Sequence, residues 1–302
     1  MKKTLKTKLG PLVLKNPVVL CAGTFGYGEE ISAVVDISKI GAVIPKTLTL
    51  KPKLGNLPPR IKETPCGLIN SIGLENIGIE SFLKDKLPFL RKKKASVIVS
   101  IAGEKKKEFI EIAKILDSEE ISAIELNISC PNVGLYGKSF SQDENKTYEI
   151  VYITRKYTTL PLIVKLSPNV TDMVKIAKAA KKAGADILSL VNTFRAVVFD
   201  IKRKRPFLGN VIGGLSGPCI KPLALYYVYI IKQHISIPII GMGGITTVND
   251  AIEFFLAGAD AVGIGTASFI NPKVSLEIIN KLSMKNPKSK YYKIPNSKGF
   301  GV

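Results

Sequence analysis

The sequence has few of the residues that metal and disulfide chemistry require. Its four cysteines, Cys21, Cys66, Cys130 and Cys219, are scattered and form no C-x-x-C pair. This argues against a zinc site, an iron–sulfur cluster or a disulfide framework carried by this chain alone, and a free thiol is the simplest state for each. The one histidine, His234, lies just before a predicted strand. We therefore expect it at the opposite end of the fold from the strand ends, where catalytic residues usually lie.

Long apolar segments and a dinucleotide fingerprint are also missing. No apolar run reaches the roughly 18 residues that a membrane span needs, and no apolar signal core follows the basic start of the chain. We therefore expect a cytoplasmic enzyme. Because no glycine loop forms G-x-G-x-x-G, a Rossmann dinucleotide site on this chain is not expected.

The net charge of +20 is high, and short basic runs such as Lys105–Lys107 and Lys202–Arg205 carry much of it. These runs lack interleaved aromatic residues and fit no nucleic-acid-binding motif. Solvated helix faces and loops explain them more simply. A nucleic-acid-binding protein stays an alternative, and steeply salt-dependent binding would identify it.

The 302 residues, of which 46% are hydrophobic, contain eight short apolar, β-branched runs. Their continuous apolar character is typical of parallel strands buried on both faces. We predict α/β class and a single (β/α)8 TIM barrel over residues 1–302, with an open doubly wound sheet as the rival. The runs are Val18–Ala22, Ala42–Lys46, Val97–Ala102, Ala123–Asn127, Leu162–Leu166, Ile187–Val191, Ile239–Met242 and Ala261–Ile264.

Two segments fall outside this repeat. Leu5 to Leu14, around Gly10-Pro11, is predicted to form an N-terminal hairpin under the barrel. The stretch from Thr47 to Lys94 is too long for one helix, so we predict top-face loop insertions or a small hairpin there.

Glycine-rich loops follow the last two predicted strands. In a barrel these loops lie at the catalytic end, where backbone N–H groups can bind one phosphate. A third loop around Gly217 can add another wall. The predicted phosphate residues are Gly217, Gly243, Gly244, Gly265 and Thr266.

Lysines and asparagines gather at the same strand ends. Lys46 and Lys165 can stabilise negative charge on a flavin ring, although a strand lysine can also form a Schiff base, as in barrel lyases. Amide side chains suit a planar ring with many hydrogen-bonding groups, and the candidates are Asn70, Asn127, Asn132 and Asn192. Cys130, just past the fourth strand, is the candidate base, because a thiol can act near neutral pH when its pKa is lowered.

Several motifs together resemble the class 1B dihydroorotate dehydrogenases. They are Glu125-Leu-Asn-Ile-Ser-Cys-Pro-Asn-Val133, Val164-Lys-Leu-Ser-Pro-Asn-Val170, Gly213-Gly-Leu-Ser-Gly-Pro218, Ile239-Ile-Gly-Met-Gly-Gly244, Asn70-Ser-Ile-Gly-Leu74 and Val262-Gly-Ile-Gly-Thr266. The similarity runs from about Leu9 to Pro272, and the combination is far more specific than any one motif.

The resemblance implies an FMN-dependent oxidation of (S)-dihydroorotate to orotate in pyrimidine synthesis, with Cys130 taking the C5 proton and hydride passing to flavin N5. The pyrimidine contacts implied by position are Lys46, Asn70, Ser71, Ile72, Gly73, Leu74, Asn127, Asn132, Asn192 and Thr193. The FMN contacts implied are Ala22, Lys46, Thr47, Ser100, Asn127, Lys165, Val191, Gly217, Gly243, Gly244, Gly265 and Thr266. Ser100 stands where the family usually has Asn.

The family also implies a partner. Class 1B members form a heterotetramer, in which a homodimer of this kind of chain joins subunits that carry FAD and a 2Fe–2S cluster and reduce NAD. The lack of clustered cysteines and of a Rossmann fingerprint agrees with that need. A fumarate-dependent class 1A homodimer, a dihydropyrimidine dehydrogenase-like barrel and a Schiff-base barrel lyase remain alternatives.

Overall fold

The computed structural model describes residues 5–128 and 140–285. Eight parallel strands form one sheet. They are β1 Val18–Leu20, β2 Ala42–Val43, β3 Ile98–Ile101, β4 Ala123–Asn127, β5 Leu162–Lys165, β6 Ile187–Leu190, β7 Ile239–Met242 and β8 Ala261–Ile264. Their order in the sheet is β2-β1-β8-β7-β6-β5-β4-β3. Parallel bridges between Val43 and Val97 and between Leu48 and Ile101 join β2 to β3 and close the sheet into a barrel. The predicted (β/α)8 barrel is confirmed.

Helices surround the barrel. They are α1 Glu29–Ser32, α2 Gly78–Ser81, α3 Leu87–Lys92, α4 Lys106–Asp117, α5 Glu144–Arg155, α6 Met173–Lys182, α7 Lys221–His234, α8 Val248–Leu256, α9 Ala267–Ile270 and α10 Val274–Lys285. A π-helical turn, Phe82–Lys86, joins α2 to α3, and 3-10 turns occupy Ile37–Lys39, Phe140–Gln142 and Pro218–Ile220. No helix within the described residues is long and apolar enough to cross a membrane.

The period of two along each strand sorts the core into two shells. One set of side chains packs between the strands and the helices, with Leu20, Val99 and Val164 as examples. The alternate set fills the barrel interior. It consists near the bottom of Val19, Ala42, Ile98, Ala123, Ile163, Ile187, Ile240 and Ala261.

The N-terminal hairpin closes the bottom of this interior. Strands Thr7–Leu9 and Leu12–Leu14 pair antiparallel through the turn at Gly10. Leu9, Leu12 and Leu14 are buried in the same cluster as the inward residues of the barrel. The predicted hairpin beneath the barrel is therefore confirmed. Because the hairpin closes this end, any cavity in the barrel must open at the opposite end.

A four-stranded antiparallel sheet, which we call the cap sheet, covers the opposite end. Its order is Phe194–Val197, Ile212–Ser216, Gly67–Asn70 and Ile61–Thr64. The last two strands form the hairpin predicted within Thr47 to Lys94. No pattern in the sequence predicts that the segments after β6 complete the same sheet. A short hairpin of Phe199–Asp200 and Arg205–Pro206 projects from it.

Two Gly-Ala-Asp segments join a helix to a strand in the same way. Asp186 accepts a hydrogen bond from the amide of Leu162 (2.8 Å) and pairs with Arg155. Asp260 accepts one from the amide of Ile239 (2.9 Å) and pairs with Lys232. Each aspartate thus ties one strand to the start of its neighbour.

Substitution of Gly258, the first residue of the second Gly-Ala-Asp segment, tests how much this helix–strand connection contributes to stability. Its φ of +107° is unfavourable for residues with a side chain, and an added Cβ would lie 2.6 Å from Cγ of Lys232. We expect Gly258→Ala to lower the free energy of unfolding by about 2 kcal/mol. Chemical denaturation checks this. Ala33→Gly, at an exposed position, is the control for exchanging glycine and alanine where no side chain clashes. A Gly258→Ala protein as stable as wild type would contradict it.

Candidate active site

A cavity of about 280 Å³ lies between the carboxyl ends of the barrel strands and the cap sheet. Strand ends supply its floor, because parallel strands all deliver their last residues to the same end of a barrel. The cap sheet supplies the roof through Ile61, Leu68 and Asn70. The cavity is therefore built from segments spread over the whole chain.

Most residues that were predicted for the site line this one cavity. They are Ala22, Lys46, Thr47, Asn70, Ile72, Gly73, Leu74, Asn127, Lys165, Val191, Asn192, Thr193, Gly217, Gly243, Gly244, Gly265 and Thr266. Cys130 and Asn132 belong to residues 129–139, which lie outside the described residues.

Ser71 and Ser100 lie behind the lining rather than in it. Ser71 is fully buried, and Asn56 donates to its hydroxyl over 2.9 Å. Ser100 on β3 is 3.0 Å from the hydroxyl of Thr47, which does face the cavity. Ser100 thus acts on the cavity wall through Thr47.

An amide network crosses the floor of the cavity. Asn127 donates to the hydroxyl of Thr47 over 3.1 Å, and Asn192 donates to the amide oxygen of Asn127 over 3.4 Å. The backbone amide of Thr193 in turn donates to Asn192 over 2.9 Å. These bonds fix the orientation of two amide groups at the ends of β4 and β6. A planar ring with donors and acceptors on its edge suits such a surface.

A charged cluster stands at the wall formed by the loop after the cap hairpin. The carboxylate of Glu75 is 3.3 Å from the ammonium of Lys46 and 3.2 Å from the guanidinium of Arg60. Lys46, and then Arg60, hold the pKa of Glu75 below its usual value although desolvation opposes them. Two cations share one anion here, which leaves a net positive charge for an anionic ligand.

Beneath the cavity, the second inward layer of the barrel is polar on one side. Two residues beyond the bottom layer come Cys21, Ile44, Ser100, Glu125, Lys165, Ser189, Met242 and Gly263. Ser189 donates to the fully buried carboxylate of Glu125 over 3.0 Å, and the other oxygen, Oε1, has no hydrogen-bond partner among the residues that the structure describes. Such a carboxylate is costly to bury unless a cation lies nearby.

Lys165 is a cation in the same layer of the barrel interior. It is 6% exposed and stands in register between Asn127 on β4 and Ser189 on β6. Burial raises the pKa of the neighbouring Cys21 thiol to about 12, while Lys165 lowers it and Glu125 raises it. The charges of Lys165 and Glu125 therefore both act inside the barrel. No carboxylate among the described residues forms an ion pair with Lys165, so its charge is available to a ligand.

Glycines shape the wall of the cavity formed by the loops after β7 and before α7. Gly243 has a φ of +130° and Gly244 a φ of +76°, values that favour glycine. A Cβ on Gly244 would lie 2.9 Å from the carbonyl oxygen of Gly217 and 2.8 Å from Cβ of Lys221. The loops after β7 and before α7 thus pack so closely that only glycine fits. Close backbone loops of this kind present N–H groups to a phosphate.

Asp250 fixes the glycine loop after β7. Its Oδ2 accepts from the amides of Thr246 (3.0 Å) and Thr247 (2.8 Å), and from both hydroxyls. Its Oδ1 accepts from Lys221 over 2.6 Å. Burial alone would raise the pKa of Asp250, but the bonds from Lys221 and the two threonines outweigh it and hold the pKa well below its usual 3.8.

We expect Asp250→Asn to lower the free energy of unfolding by about 2 kcal/mol at pH 7, since several bonds to a charged acceptor are weakened together. Because the folded pKa is depressed, the wild-type contribution is complete above the ordinary carboxyl pKa and is lost as pH falls below it. The difference between wild type and Asp250→Asn should therefore shrink toward pH 3 in denaturation curves. A difference that does not change with pH would contradict this assignment.

Sequence reasoning missed part of the lining. Glu75 and Phe269 face the cavity although no quoted motif includes them, and Glu125 lies beneath it. Ser216 also faces the cavity; it lies in the Gly213–Pro218 motif but was not among the predicted contacts. Glu125 had a usable signal: a charged residue inside an otherwise apolar strand is expensive to bury without a function. For the other three, only the folding of the cap sheet and of α9 over the barrel places them there.

Comparisons with known proteins agree with this architecture. The family model described as dihydroorotate dehydrogenase matches residues 4–285. The chain is 49% identical over 278 residues to "Dihydroorotate dehydrogenase B (NAD(+)), catalytic subunit" of Geotalea uraniireducens, covering 92% of this chain and 91% of the relative. A relative of the same name from Thermodesulfovibrio yellowstonii is 49% identical over 276 residues, or 91% of each chain. The resemblance seen in the sequence motifs is thus confirmed, and the chain belongs to the dihydroorotate dehydrogenase family.

Proposed function

We propose that this chain is the FMN-containing catalytic subunit that oxidises (S)-dihydroorotate to orotate in pyrimidine synthesis. The observation that carries the proposal is one cavity that joins closely packed glycine loops, a buried lysine and an ordered amide network. The names of the relatives support the same reaction and NAD as the final electron acceptor.

The residues present fit FMN. Glycine loops that leave no room for a Cβ allow the close approach of a phosphate. We assign phosphate binding to Gly217, Gly243, Gly244, Gly265 and Thr266. Ala22, Thr47, Asn127, Lys165 and Val191 would surround the flavin ring. When bound, FMN supplies the acceptor for the hydride that leaves C6 of the substrate. The charge of Lys165 stabilises the negative charge that the ring gains.

The substrate would occupy the side of the cavity nearest the cap sheet. Lys46 and Arg60 offer positive charge to a carboxylate, and Asn127 and Asn192 offer fixed donors and acceptors to the ring. We assign Asn70 to Leu74, Asn132 and Thr193 to the same pocket. Cys130 follows the end of β4 by three residues, which suits removal of the C5 proton.

We assign the next step of electron transfer to a partner. The printed names of the relatives call them catalytic subunits, which implies another subunit in those enzymes. We propose a homodimer of this chain within a heterotetramer, whose second subunit carries FAD and a 2Fe–2S cluster. The cytoplasmic location stays a prediction from the sequence.

The direct test is to purify the chain with its genomic partner and to identify the released flavin by mass spectrometry. Anaerobic dihydroorotate should then bleach the flavin absorbance, whereas dihydrouracil should not, because it lacks the carboxylate that Lys46 and Arg60 would bind. Bleaching by dihydrouracil alone would favour the dihydropyrimidine dehydrogenase-like alternative. A colourless protein that traps a carbonyl compound on Lys165 under borohydride would favour the lyase.

The acceptor is tested separately. Rapid oxidation of the reduced flavin by NAD in the presence of the partner supports the class 1B assignment. Rapid oxidation by fumarate without a partner would instead favour a class 1A enzyme.

A further inference from the structure

Two cysteines that are far apart in the sequence meet at the rim of the cavity. Cys66 occupies the turn between the cap strands Ile61–Thr64 and Gly67–Asn70. Cys219 lies in the 3-10 turn Pro218–Ile220, directly after the cap strand Ile212–Ser216 and Gly217. Both are exposed free thiols. The family comparisons assign no role to either residue.

The contact between the two residues is direct. The backbone amide of Cys219 donates to the carbonyl oxygen of Cys66 over 3.1 Å. This bond brings the two backbones into direct contact, and a disulfide needs Cα atoms that are about 4.4–6.8 Å apart. The sulfur of Cys219 also packs on Gly67, where an added Cβ would lie only 2.7 Å from it. The Cys219 sulfur therefore points at the residue next to Cys66.

Charge effects agree with that proximity. Burial raises the pKa of the Cys219 thiol, and the neighbouring Cys66 thiolate raises it further. Cys21 offers an internal contrast, because it is buried in the barrel with its sulfur 3.8 Å from that of Met242. A solvent oxidant reaches the exposed pair more readily than Cys21, which is 6% exposed.

We propose that Cys66 and Cys219 form a reversible disulfide that fastens the cap hairpin to the loop of Gly217. With hydrogen peroxide as oxidant, one thiolate attacks the peroxide and becomes a sulfenic acid as water or hydroxide leaves. The second thiolate then attacks the sulfenic sulfur, and a second water leaves. Two thiols and one peroxide thus give one disulfide and two waters. A dithiol reductant reverses the bond by thiol–disulfide exchange.

The bond would join two walls of the same cavity. Leu68 and Asn70 follow Cys66 into the roof, and Gly217 and Ile220 flank Cys219 in the phosphate wall. The ladder between Leu68 and Ser216 already pairs these segments, so the disulfide needs little rearrangement. It would suppress the opening of the hairpin tip, and with it the escape of a ligand held beneath.

Peptide mapping tests the proposal on the full-length protein after mild peroxide treatment. We expect one intramolecular cross-linked peptide pair containing Cys66 and Cys219, with a mass loss of about 2 Da that dithiothreitol restores. Cys66→Ser and Cys219→Ser are matched variants, and each should abolish the cross-link. Repeating the mapping in Cys130→Ser removes competition from that thiol. In wild type, oxidation should raise the apparent Tm by about 5 °C and slow flavin release about tenfold.

The release measurement rests on the proposed function, whereas the cross-link does not. A colourless protein that still forms the Cys66–Cys219 bond would sink the flavin assignment and keep the disulfide. Oxidation that yields only cross-links between molecules, single-thiol adducts or an equal Tm rise in Cys66→Ser would overturn the disulfide. A cross-link without slower release in a flavin-loaded protein would overturn its proposed effect on the cavity.

Discussion

Cys130→Ser is expected to slow the reduction of bound flavin by dihydroorotate about a thousandfold, within the usual contribution of a positioned base. A serine hydroxyl has the same shape but a far higher pKa, so it is a poor acceptor for the C5 proton near neutral pH. Flavin content and the free energy of unfolding should stay close to wild type, because only one atom changes. Stopped-flow absorbance under anaerobic conditions measures the effect.

The control for this experiment is Cys66→Ser, which makes the same atomic change on the rim. It should reduce flavin at the wild-type rate under reducing conditions. The pH profile adds a second check: the wild-type rate should rise as the thiol ionises, and Cys130→Ser should lose that rise. Equal rates in wild type and Cys130→Ser would remove Cys130 as the base and leave the fold and the cavity unaffected.

Lys165→Met is expected to slow flavin reduction about a hundredfold, which is the typical cost of removing one preorganised charge from a buried site. Methionine keeps much of the length and the apolar contacts of the lysine stem. The ammonium of Lys165 is enclosed beside Asn127 and Ser189, where low polarity strengthens its field. The reduction potential of the bound flavin should become more negative in the variant, because the reduced ring carries the negative charge.

Glu125 makes this prediction sharper. Removing the Lys165 charge leaves the buried carboxylate of Glu125 without the cation that shares the barrel interior, so Lys165→Met should also destabilise the barrel. The double variant Lys165→Met with Glu125→Gln should recover part of that stability without recovering the potential. Lys178→Met, which removes the same charge from the exposed face of α6, is the control for net charge. A potential that shifts equally in Lys178→Met would contradict a local role for Lys165.

The barrel itself could be predicted because its strands carry a strong local signal. Residues 162–165 and 187–190 are apolar on both faces apart from Lys165 and Ser189, and a parallel strand between helices and barrel interior needs that pattern. Strand ends were less predictable: β2 ends at Val43 although the apolar run continues to Lys46. Hydrogen bonding to neighbours, which the run does not encode, decides where a strand stops.

The cap sheet shows the limit of local patterns more clearly. Phe194–Val197 and Ile212–Ser216 are short and half-exposed, and Ile212–Ser216 contains two glycines, so neither has the period or length of a confident strand. Ile212–Ser216 becomes a strand by pairing with the hairpin that follows β2, from a distant part of the chain, and Phe194–Val197 pairs in turn with Ile212–Ser216. Glu75 and Ser216 reach the cavity only through that pairing.

The sequence by itself determined the family, the barrel and most of the glycines, lysines and asparagines of the cavity, because the ends of parallel strands in a barrel must meet. Only the tertiary structure decided that Ser100 acts through Thr47, that the buried Glu125 shares the barrel interior with Lys165, and that Cys66 adjoins Cys219. These relations depend on distances between segments far apart in the chain. Spacing along a sequence fixes which face a residue occupies, but long-range packing fixes which neighbour it meets.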